Sequence, residues 1–201
     1  MKLAIFGDSI GWGKSDEKFA GWVNQLKILC MNKYVKNRER LDVYNRSVSG
    51  DTTVRLLKRF DNECKSIMPE VVIFAIGTND CRYTKTKHDY NVSPIQFKKN
   101  LDKLLKNALK YSKQIIFINL PPVIESKVTP IPWHDTEYYY TKNLNEFNQI
   151  IKSFCKENNL NMINIFRDEV VLSEDGLHPN AKGHQKIFEI VRDYLEKEKL
   201  I

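Results

Sequence analysis

Two short segments, one towards each end of the chain, carry the residue types of a nucleophilic hydrolase. Residues 7–11 (GDSIG) contain Ser9, and residues 175–179 (DGLHP) contain Asp175 and His178. A serine hydroxyl is a weak nucleophile near neutral pH, so it needs a base within hydrogen-bond reach and a third group that orients this base. Because Asp175 stands three residues before His178, one tight loop can bring the carboxylate to a ring nitrogen of the histidine. The alternative is that the first segment only caps the helix that follows it.

Four polar signatures follow predicted strands, at the point where each strand ends. They are Ser9 after residues 2–6, residues 49–51 (SGD) after 41–44, residues 77–80 (GTND) after 71–76, and residues 175–178 after 161–165. The carboxyl ends of parallel strands meet on one rim of a sheet, which is where open α/β sheets bind ligands. Taken singly, each residue has a simpler alternative role: Gly50 as a turn residue, Asn79 as a helix cap, and Asp175 as an acceptor for amides of its own loop. Four such signatures on one rim indicate a shared site.

Strands and helices alternate along the chain. Continuous apolar runs such as residues 71–76 (VVIFAI) are too short for helices and are typical of parallel strands buried on both faces. The predicted strands are 2–6, 41–44, 71–76, 115–118 and 161–165. Five helices are predicted. The first has Phe19, Trp22, Val23, Leu26 and Leu29 on one face, and the second has Val54, Leu57, Phe60 and Cys64. The third begins with a Ser93 cap and Pro94 and contains Leu101, Leu104, Leu105 and Ala108, the fourth covers residues 138–157, and the fifth runs from Ala181 to the C-terminus. This order predicts an α/β fold, a three-layer α/β/α sandwich around a central five-stranded parallel sheet, in one domain over residues 1–201.

Composition and charge narrow the class of protein. The chain has 201 residues, of which 42% are hydrophobic, enough for one domain with a substantial core. No stretch approaches the about 18 apolar residues of a membrane span, and the first predicted strand occupies the place of a signal peptide. The net charge of +7 is scattered and comes without a nucleic-acid-binding motif, so no nucleic-acid partner is predicted. Four widely spaced cysteines without a C-x-x-C pair predict reduced thiols and a cytoplasmic location.

In their order along the chain, the four signatures resemble the blocks of the GDSL, or SGNH, hydrolase family, and the resemblance runs nearly end to end. It implies a flavodoxin-like α/β/α fold and serine-dependent hydrolysis of an acyl ester through an acyl-enzyme. By this resemblance Ser9 is the nucleophile, His178 the general base and Asp175 the carboxylate that orients the base. The backbone N–H groups of Ser9 and Gly50 and the side-chain amide of Asn79 would form the oxyanion hole. Such chemistry needs no metal and no cofactor.

The sequence indicates the class of substrate but no single compound. We expect a small, soluble acyl or acetyl ester, with a thioester or a lysophospholipid as alternatives, because the sequence has no obvious hydrophobic lid. Trp12, Tyr83 and Trp133 are expected to line the substrate pocket. Tyr83 begins a polar loop after residues 77–80, the asparagine block. Trp12 lies close to Ser9, and Trp133 opens the aromatic stretch 133–140. Packing is the alternative role for Trp12 and for this stretch. The sequence leaves the oligomeric state open.

Other motifs admit different functions. Residues 13–15 (GKS) end like a phosphate-binding loop, so nucleotide binding or phosphotransfer is the alternative function; that motif needs glycine at position 8, where this chain has Asp8. The G-x-S-x-G elbow of α/β-hydrolases also fits the first segment, but that fold needs strands and an oxyanion loop before its serine. A non-catalytic protein of the same fold would show a defective block, and none is found. His88, His134 and His184 lack metal-ligand spacing and are predicted to be surface or packing residues.

Overall fold

A parallel sheet lies at the centre of the structure, a computed structural model that describes residues 1–38, 40–84 and 89–201. Its strands are β1 (Lys2–Gly7), β2 (Asp42–Asn45), β3 (Val71–Ala75), β5 (Gln114–Ile118) and β7 (Asn161–Ile163), and a separate antiparallel pair is formed by β4 (Tyr83–Thr84) and β6 (Glu137–Tyr138). The five strands lie in the order β2-β1-β3-β5-β7, and all neighbouring strands are parallel. The predicted α/β fold with a central five-stranded parallel sheet is confirmed.

Helices cover both faces of this sheet. They are α1 (Ser9–Trp12), α2 (Trp22–Asn37), α3 (Thr53–Ile67), α4 (Pro94–Ala108), α5 (Thr141–Glu157) and α6 (Ala181–Lys197). Because side chains alternate between the faces of a strand, β1 contributes to two cores. Ala4 and Phe6 pack in one core with α3, α4 and α5, whereas Leu3 and Ile5 pack in the other with α2 and α6.

Helices α4 and α6 begin where the sequence predicts. The Ser93 hydroxyl accepts a hydrogen bond from the Gln96 N–H, and Pro94 fills the first helical position, where its missing N–H has no cost. The Asn180 side chain caps α6 in the same way, by accepting from the Gly183 N–H. Within the described ranges, no helix is both long enough and apolar enough to cross a membrane.

Helix α2 begins later than predicted. The sequence pattern starts at Phe19, but the helix starts at Trp22 and Phe19 is exposed. The Asp16 carboxylate accepts hydrogen bonds from the N–H groups of Lys18, Phe19 and Gly21, which holds this segment as a loop. Gly21 also has a φ of +98°, outside the helical range.

The buried face of α3 differs from the predicted one. Val54 is exposed, and Leu56 is fully buried in its place. The N–H and hydroxyl of Thr53 both donate to the buried Asp80 carboxylate. This inward orientation of Thr53 turns the next residue towards solvent.

Helix α5 begins at Thr141 instead of residue 138. Tyr138 belongs to β6, where it pairs with Tyr83 of β4. The pairing partners are more than fifty residues apart in sequence, so local periodicity could not reveal this strand.

Candidate active site

Ser9 lies directly after the sharp turn between β1 and α1. A Cβ on Gly7 would lie 2.7 Å from the Ala75 carbonyl oxygen, so the end of β1 can approach β3 this closely only because position 7 has no side chain. The Asp8 carboxylate caps α1 by accepting from the Ile10 N–H at 3.0 Å. Ser9 is the first residue of this helix, so the helix offers its N–H no carbonyl partner. The capping role considered for Asp8 is therefore real, and it leaves Ser9 on the rim of the sheet.

A chain of two hydrogen bonds joins Ser9 to the segment before α6. Ser9 Oγ lies 2.9 Å from His178 Nε2, and His178 Nδ1 lies 2.7 Å from Asp175 Oδ2. Since an ionised carboxylate only accepts, Nδ1 carries the ring hydrogen and Nε2 accepts from the serine hydroxyl. This is the tautomer that a general base requires.

The loop that carries Asp175 also fixes its ionisation. Oδ1 accepts from the N–H groups of Leu177 at 2.8 Å and His178 at 2.9 Å, and Gly176 has a φ of +72° that allows the tight turn. Partial burial favours a higher pKa for Asp175, but the hydrogen bonds from His178 and Leu177 outweigh it and lower the pKa to about 2. Asp175 is therefore a carboxylate at neutral pH.

Burial keeps His178 neutral. The ring is enclosed by protein, which lowers the pKa of His178 below its ordinary value, and the attraction to Asp175 offsets only part of this effect. The Lys14 charge lowers the pKa further. At neutral pH the imidazole therefore has a free lone pair at Nε2 for the serine proton.

Two further loops bring hydrogen-bond donors to the same rim. Gly50 follows β2 with a φ of +80°, and the Asn79 side chain reaches across from the loop after β3. Asn79 Nδ2 donates to the Asp51 carbonyl at 2.9 Å, while Asn79 Oδ1 accepts from the Tyr139 hydroxyl at 3.1 Å. These two bonds fix the orientation of the amide and leave its second N–H available. No helix begins at Asn79, so the helix-cap alternative is wrong.

A buried polar network ties these two loops together. Asp80 accepts from the Thr53 N–H and hydroxyl, and Asn100 Nδ2 donates to the same hydroxyl at 2.8 Å. Asp51 forms an ion pair with Arg59, with 2.7 Å between the charged atoms. The sequence patterns did not reveal the supporting roles of Tyr139, Thr53 or Asn100, because each depends on a partner far away along the chain.

The Asp8 carboxyl group, next to Ser9 in sequence, is almost completely buried. Burial raises the pKa of Asp8 to about 7, and hydrogen bonds from Ile10 and Thr78 offset only part of this rise. The nearby charges of Asp80 and Asp51 add to the effect. The site thus contains one carboxyl group with a low pKa, Asp175, whereas burial raises the pKa of both Asp8 and Asp80.

The three predicted pocket residues divide into two groups. Trp133 is 50% exposed, and its ring stacks on the His178 ring with 5.8 Å between centroids and an interplanar angle of 25°. Trp12 is 57% exposed at the end of the helix that begins with Ser9. Tyr83 is only 5% exposed, and its ring packs against Tyr90 and Tyr140 instead of the serine–histidine pair.

The remaining histidines have distinct surroundings. His134 is exposed and shares a hydrogen bond with the Thr136 hydroxyl. His184 is fully buried, with its Nε2 at 2.9 Å from the Lys14 carbonyl. His88 and the rest of residues 85–88 lie outside the described residues. In the part of the chain that the structure describes, no group of three or more histidine, cysteine or acidic side chains is arranged to hold a metal ion.

The segment with the phosphate-loop resemblance has a different geometry. Gly13 ends α1 in a left-handed conformation, with a φ of +101°. A phosphate-binding loop instead opens a helix that follows it directly. The next helix, α2, begins only at Trp22. Nothing in the fold supports the nucleotide-binding alternative.

The chain is similar over nearly its whole length to several bacterial proteins. It is 26% identical over 204 residues to thioesterase 1/protease 1/lysophospholipase L1 of Escherichia coli K12, across 98% of this chain and 82% of that protein. It is 23% identical over 221 residues to the uncharacterized lipoprotein YqeF of Bacillus subtilis 168, across 95% of this chain and 88% of that protein. The crystal structure of a lipase/acylhydrolase from Enterococcus faecalis has the same fold, with a TM-score of 0.79, 22% identity, and coverage of 98% of this chain and 96% of that one.

The family comparison covers the rim and most of the sheet. The match spans residues 5–186, a range that includes the segments of Ser9, Gly50, Asn79 and His178. The matching family is described as the GDSL-like lipase/acylhydrolase family. This chain therefore belongs to the GDSL-like lipase/acylhydrolase family and is a hydrolase that acts on ester bonds.

Proposed function

We propose that the chain hydrolyses acyl esters through a covalent acyl-enzyme formed on Ser9. The observation that carries this proposal is the continuous hydrogen-bonded chain from Ser9 through His178 to Asp175, with distances of 2.9 Å and 2.7 Å. The lowered pKa values of His178 and Asp175 favour the protonation states that these roles require. The hydroxyl donates, the neutral imidazole accepts, and the ionised carboxylate is ready to stabilise the imidazolium.

In the first half of the reaction, Ser9 Oγ attacks the acyl carbon and its proton passes to His178 Nε2. The carbonyl π-electrons move to the oxygen, where negative charge builds. The N–H groups of Ser9 and Gly50 and the free N–H of the Asn79 amide would donate to this oxygen. As the tetrahedral intermediate collapses, the bond to the alcohol or thiol breaks, and the leaving group takes the proton from Nε2.

In the second half, water replaces the leaving group. His178 accepts a proton from the water as its oxygen attacks the acyl carbon, and the same donors stabilise the second oxyanion. Collapse of this intermediate returns the proton to Ser9 Oγ and releases the carboxylic acid. The ionised Asp175 stabilises the imidazolium in both halves.

We propose a small, soluble acyl or acetyl ester as the substrate. The half-exposed Trp133 and Trp12 offer flat apolar surfaces on the open rim. The name of the Escherichia coli relative joins thioesterase, protease and lysophospholipase activities, which share attack at an acyl carbon and differ in the leaving atom. A thioester and a lysophospholipid therefore stay as alternatives. Rates on p-nitrophenyl esters from acetate to palmitate test this proposal, which predicts a fall beyond short acyl chains.

Labelling with a fluorophosphonate probe tests the nucleophile. We expect a single label on the wild type and none on Ser9→Ala, with unchanged thermal stability. Ser15→Ala is the matched control, since this serine lies just beyond α1 and has no place in the mechanism. It should keep both the label and esterase activity. A label that persists on Ser9→Ala would assign the chemistry to another residue.

We also propose a cytoplasmic location. Cys30, Cys64, Cys81 and Cys155 are all buried and unpaired, as expected in a reducing compartment. Fractionation of the producing cells tests this location, and recovery of the protein in a membrane or secreted fraction would contradict it.

A further inference from the structure

The loop after α1 places the Lys14 cation over Trp133, whose ring stacks on the proposed base. Lys14 Nζ lies 5.0 Å from the centroid of a Trp133 ring, and Trp133 stacks on the His178 ring. A cation at this distance over an indole is attracted by its π-electrons. Lys14 is the lysine of the 13–15 segment, and the mechanism proposed above gives it no task.

The backbone of Lys14 is fixed at both of its polar groups. Its N–H donates to the Ser9 carbonyl at 3.0 Å, and its carbonyl accepts from His184 Nε2 at 2.9 Å. His184 Nδ1 in turn faces the Trp22 N–H at 3.4 Å, so the two neighbours require the neutral tautomer with hydrogen on Nε2. Lys14 is therefore tied to the residue of the proposed nucleophile and to a fully buried histidine.

No acidic side chain that the structure describes neutralises the Lys14 charge. Among the residues that the structure describes, no carboxylate lies within ion-pair distance of its Nζ. The nearest acidic residue in sequence, Asp16, instead accepts from three backbone N–H groups of its own loop. The Lys14 charge still reaches the site, since it lowers the pKa of His178.

The position beside His178 indicates which part of a substrate would meet this cation. In the proposed mechanism His178 Nε2 gives its proton to the departing oxygen or sulfur atom, so the leaving group lies next to the imidazole. Trp133 covers this imidazole and Lys14 lies over Trp133. We propose that Lys14 and Trp133 form a subsite for an anionic leaving group, so that the preferred substrates are acyl esters whose alcohol or thiol bears a carboxylate, phosphate or sulfate. This inference rests on the proposed function and names its substrate class.

Two matched esters test the subsite. The anionic ester is 4-acetoxybenzoate, and the neutral one is its methyl ester. The measured quantity is the ratio of their kcat/KM values, anionic over neutral, at low ionic strength. We expect Lys14→Gln to lower this ratio about five- to tenfold, since it removes one partly shielded charge. Lys14→Arg keeps the charge and should keep most of the ratio. Added salt should lower the wild-type ratio and affect Lys14→Gln less.

Arg55→Gln is the matched control. The Arg55 guanidinium also lies near the site, since its Nη1 would be 3.9 Å from a Cβ on Gly50. This guanidinium is on the side of the proposed oxyanion hole and not on the side of Lys14. A local subsite at Lys14 predicts that Arg55→Gln leaves the ratio within about twofold of the wild type. An equal fall in both variants would mean general attraction by positive charge and would overturn the subsite. An unchanged ratio in Lys14→Gln would overturn it too.

Failure of the proposed function can be distinguished from failure of the subsite. If Ser9→Ala hydrolysed the neutral ester as fast as the wild type, the nucleophile would be wrong whatever the ratio. If the wild type hydrolysed neither ester, binding of 4-acetoxybenzoate to Ser9→Ala protein, measured by calorimetry, would still test the subsite. Weaker binding to the Ser9→Ala, Lys14→Gln double variant supports it, and equal binding contradicts it.

Discussion

His178 receives its chemical character from its surroundings more than from its own type. Burial and the Lys14 charge lower its pKa, whereas Asp175 acts in the opposite direction and holds the ring by Nδ1. The hydrogen bond to Ser9 then falls on the nitrogen that is free to accept. A histidine of ordinary pKa would be partly protonated, and so partly inactive, in slightly acid solution.

The pH dependence of hydrolysis follows from this shift. The active form has neutral His178, and its lowered pKa extends that form to lower pH. We expect kcat/KM to rise with pH through a midpoint below the ordinary histidine value of about 6.5 and to be level by neutral pH. Lys14→Gln removes a charge that disfavours the imidazolium, so its midpoint should move up. Profiles on the neutral ester from acid to mildly alkaline pH measure both. A wild-type midpoint at neutral pH or higher would contradict the assignment.

The Asn79 amide is held by a residue that no sequence motif indicates. Removing the amide in Asn79→Ala should lower kcat by about 100- to 1000-fold with little change in KM, because the donor acts mainly on the transition state. Tyr139→Phe removes only the hydroxyl that donates to Asn79 Oδ1. We expect about a tenfold fall in kcat from the loosened amide, again with KM little changed.

Tyr138→Phe is the control for this positioning effect. Its hydroxyl donates to the Asp135 carbonyl, away from the amide. Steady-state kinetics and thermal melting of the variants separate positioning from stability. Equal kcat losses in Tyr138→Phe and Tyr139→Phe would show that the Tyr139 hydroxyl has no specific role.

At the scale of elements, one loop contact fixes the geometry around α1. Gly13 and Gly21 touch so closely that a Cβ on Gly13 would lie 2.0 Å from the Ala20 carbonyl oxygen, and one on Gly21 would lie 2.3 Å from the Gly13 Cα. This contact brings the start of α2 against the end of α1. It therefore supports the backbone of both Ser9 and Lys14.

Gly13→Ala should be strongly destabilising. It combines a steric clash with a left-handed φ of +101°, and we expect a loss of more than about 2 kcal/mol in the free energy of unfolding. Gly50→Ala is the matched control, since its φ of +80° is also left-handed but the nearest atom to the new Cβ is 3.9 Å away. Denaturant unfolding of both variants separates the clash from the strain. Equal losses would mean that the Gly13–Gly21 contact contributes little.

The sequence predicts the strands of the sheet well and the ends of the helices less well. Buried parallel strands are continuous apolar runs, so β1, β3 and β5 are visible without knowledge of their neighbours. The start of α2 is hidden because the Asp16 carboxylate holds the preceding residues in a loop. The sequence patterns did not reveal β4 and β6 either, because a two-residue strand has no periodicity.

The candidate site shows the same division. The residue types in the four blocks indicate which side chains should share one rim, and the structure brings Ser9, His178 and Asp175 into one hydrogen-bonded chain. Tyr139 and the Lys14–Trp133 contact depend on how separate loops fold over that rim. Sequence spacing carries no information on such contacts. Tyr83 shows the converse, since its place after the asparagine block suggested the pocket whereas its ring is buried among other tyrosines.

At the scale of the whole molecule, buried carboxyl groups set a pH dependence of stability. Burial raises the pKa of Asp8 to about 7 and that of Asp80 to about 6. A folded state that binds a proton more tightly than the unfolded chain loses stability as pH rises. For Asp8 this loss accumulates between the unfolded value of 3.8 and about 7 and is complete above that range.

Asp8→Asn should therefore stabilise the protein at alkaline pH. The amide oxygen can still accept from the Ile10 N–H, and no charge needs to be buried. We expect a gain on the order of 2 to 4 kcal/mol at pH 8 and a smaller one at pH 5. Asp61→Asn is the control with the opposite sign, because the hydrogen bond from Lys110 lowers the pKa of this exposed carboxyl. Denaturant unfolding at the two pH values measures both, and a pH-independent effect of Asp8→Asn would contradict the assignment.

The hydrogen bond between Ser9 and His178 joins residues that are 169 positions apart. Turnover therefore requires the segment before α6 to have docked onto the end of β1, however much of the sheet has already formed. In a refolding experiment, the return of hydrolysis would report when this segment docks onto β1, whereas far-ultraviolet circular dichroism would report when the helices form. If activity returned before the helical signal was complete, the two ends of the chain would meet early in folding. The contact between Ser9 and His178 would then belong to the folding nucleus and not to the final step of folding.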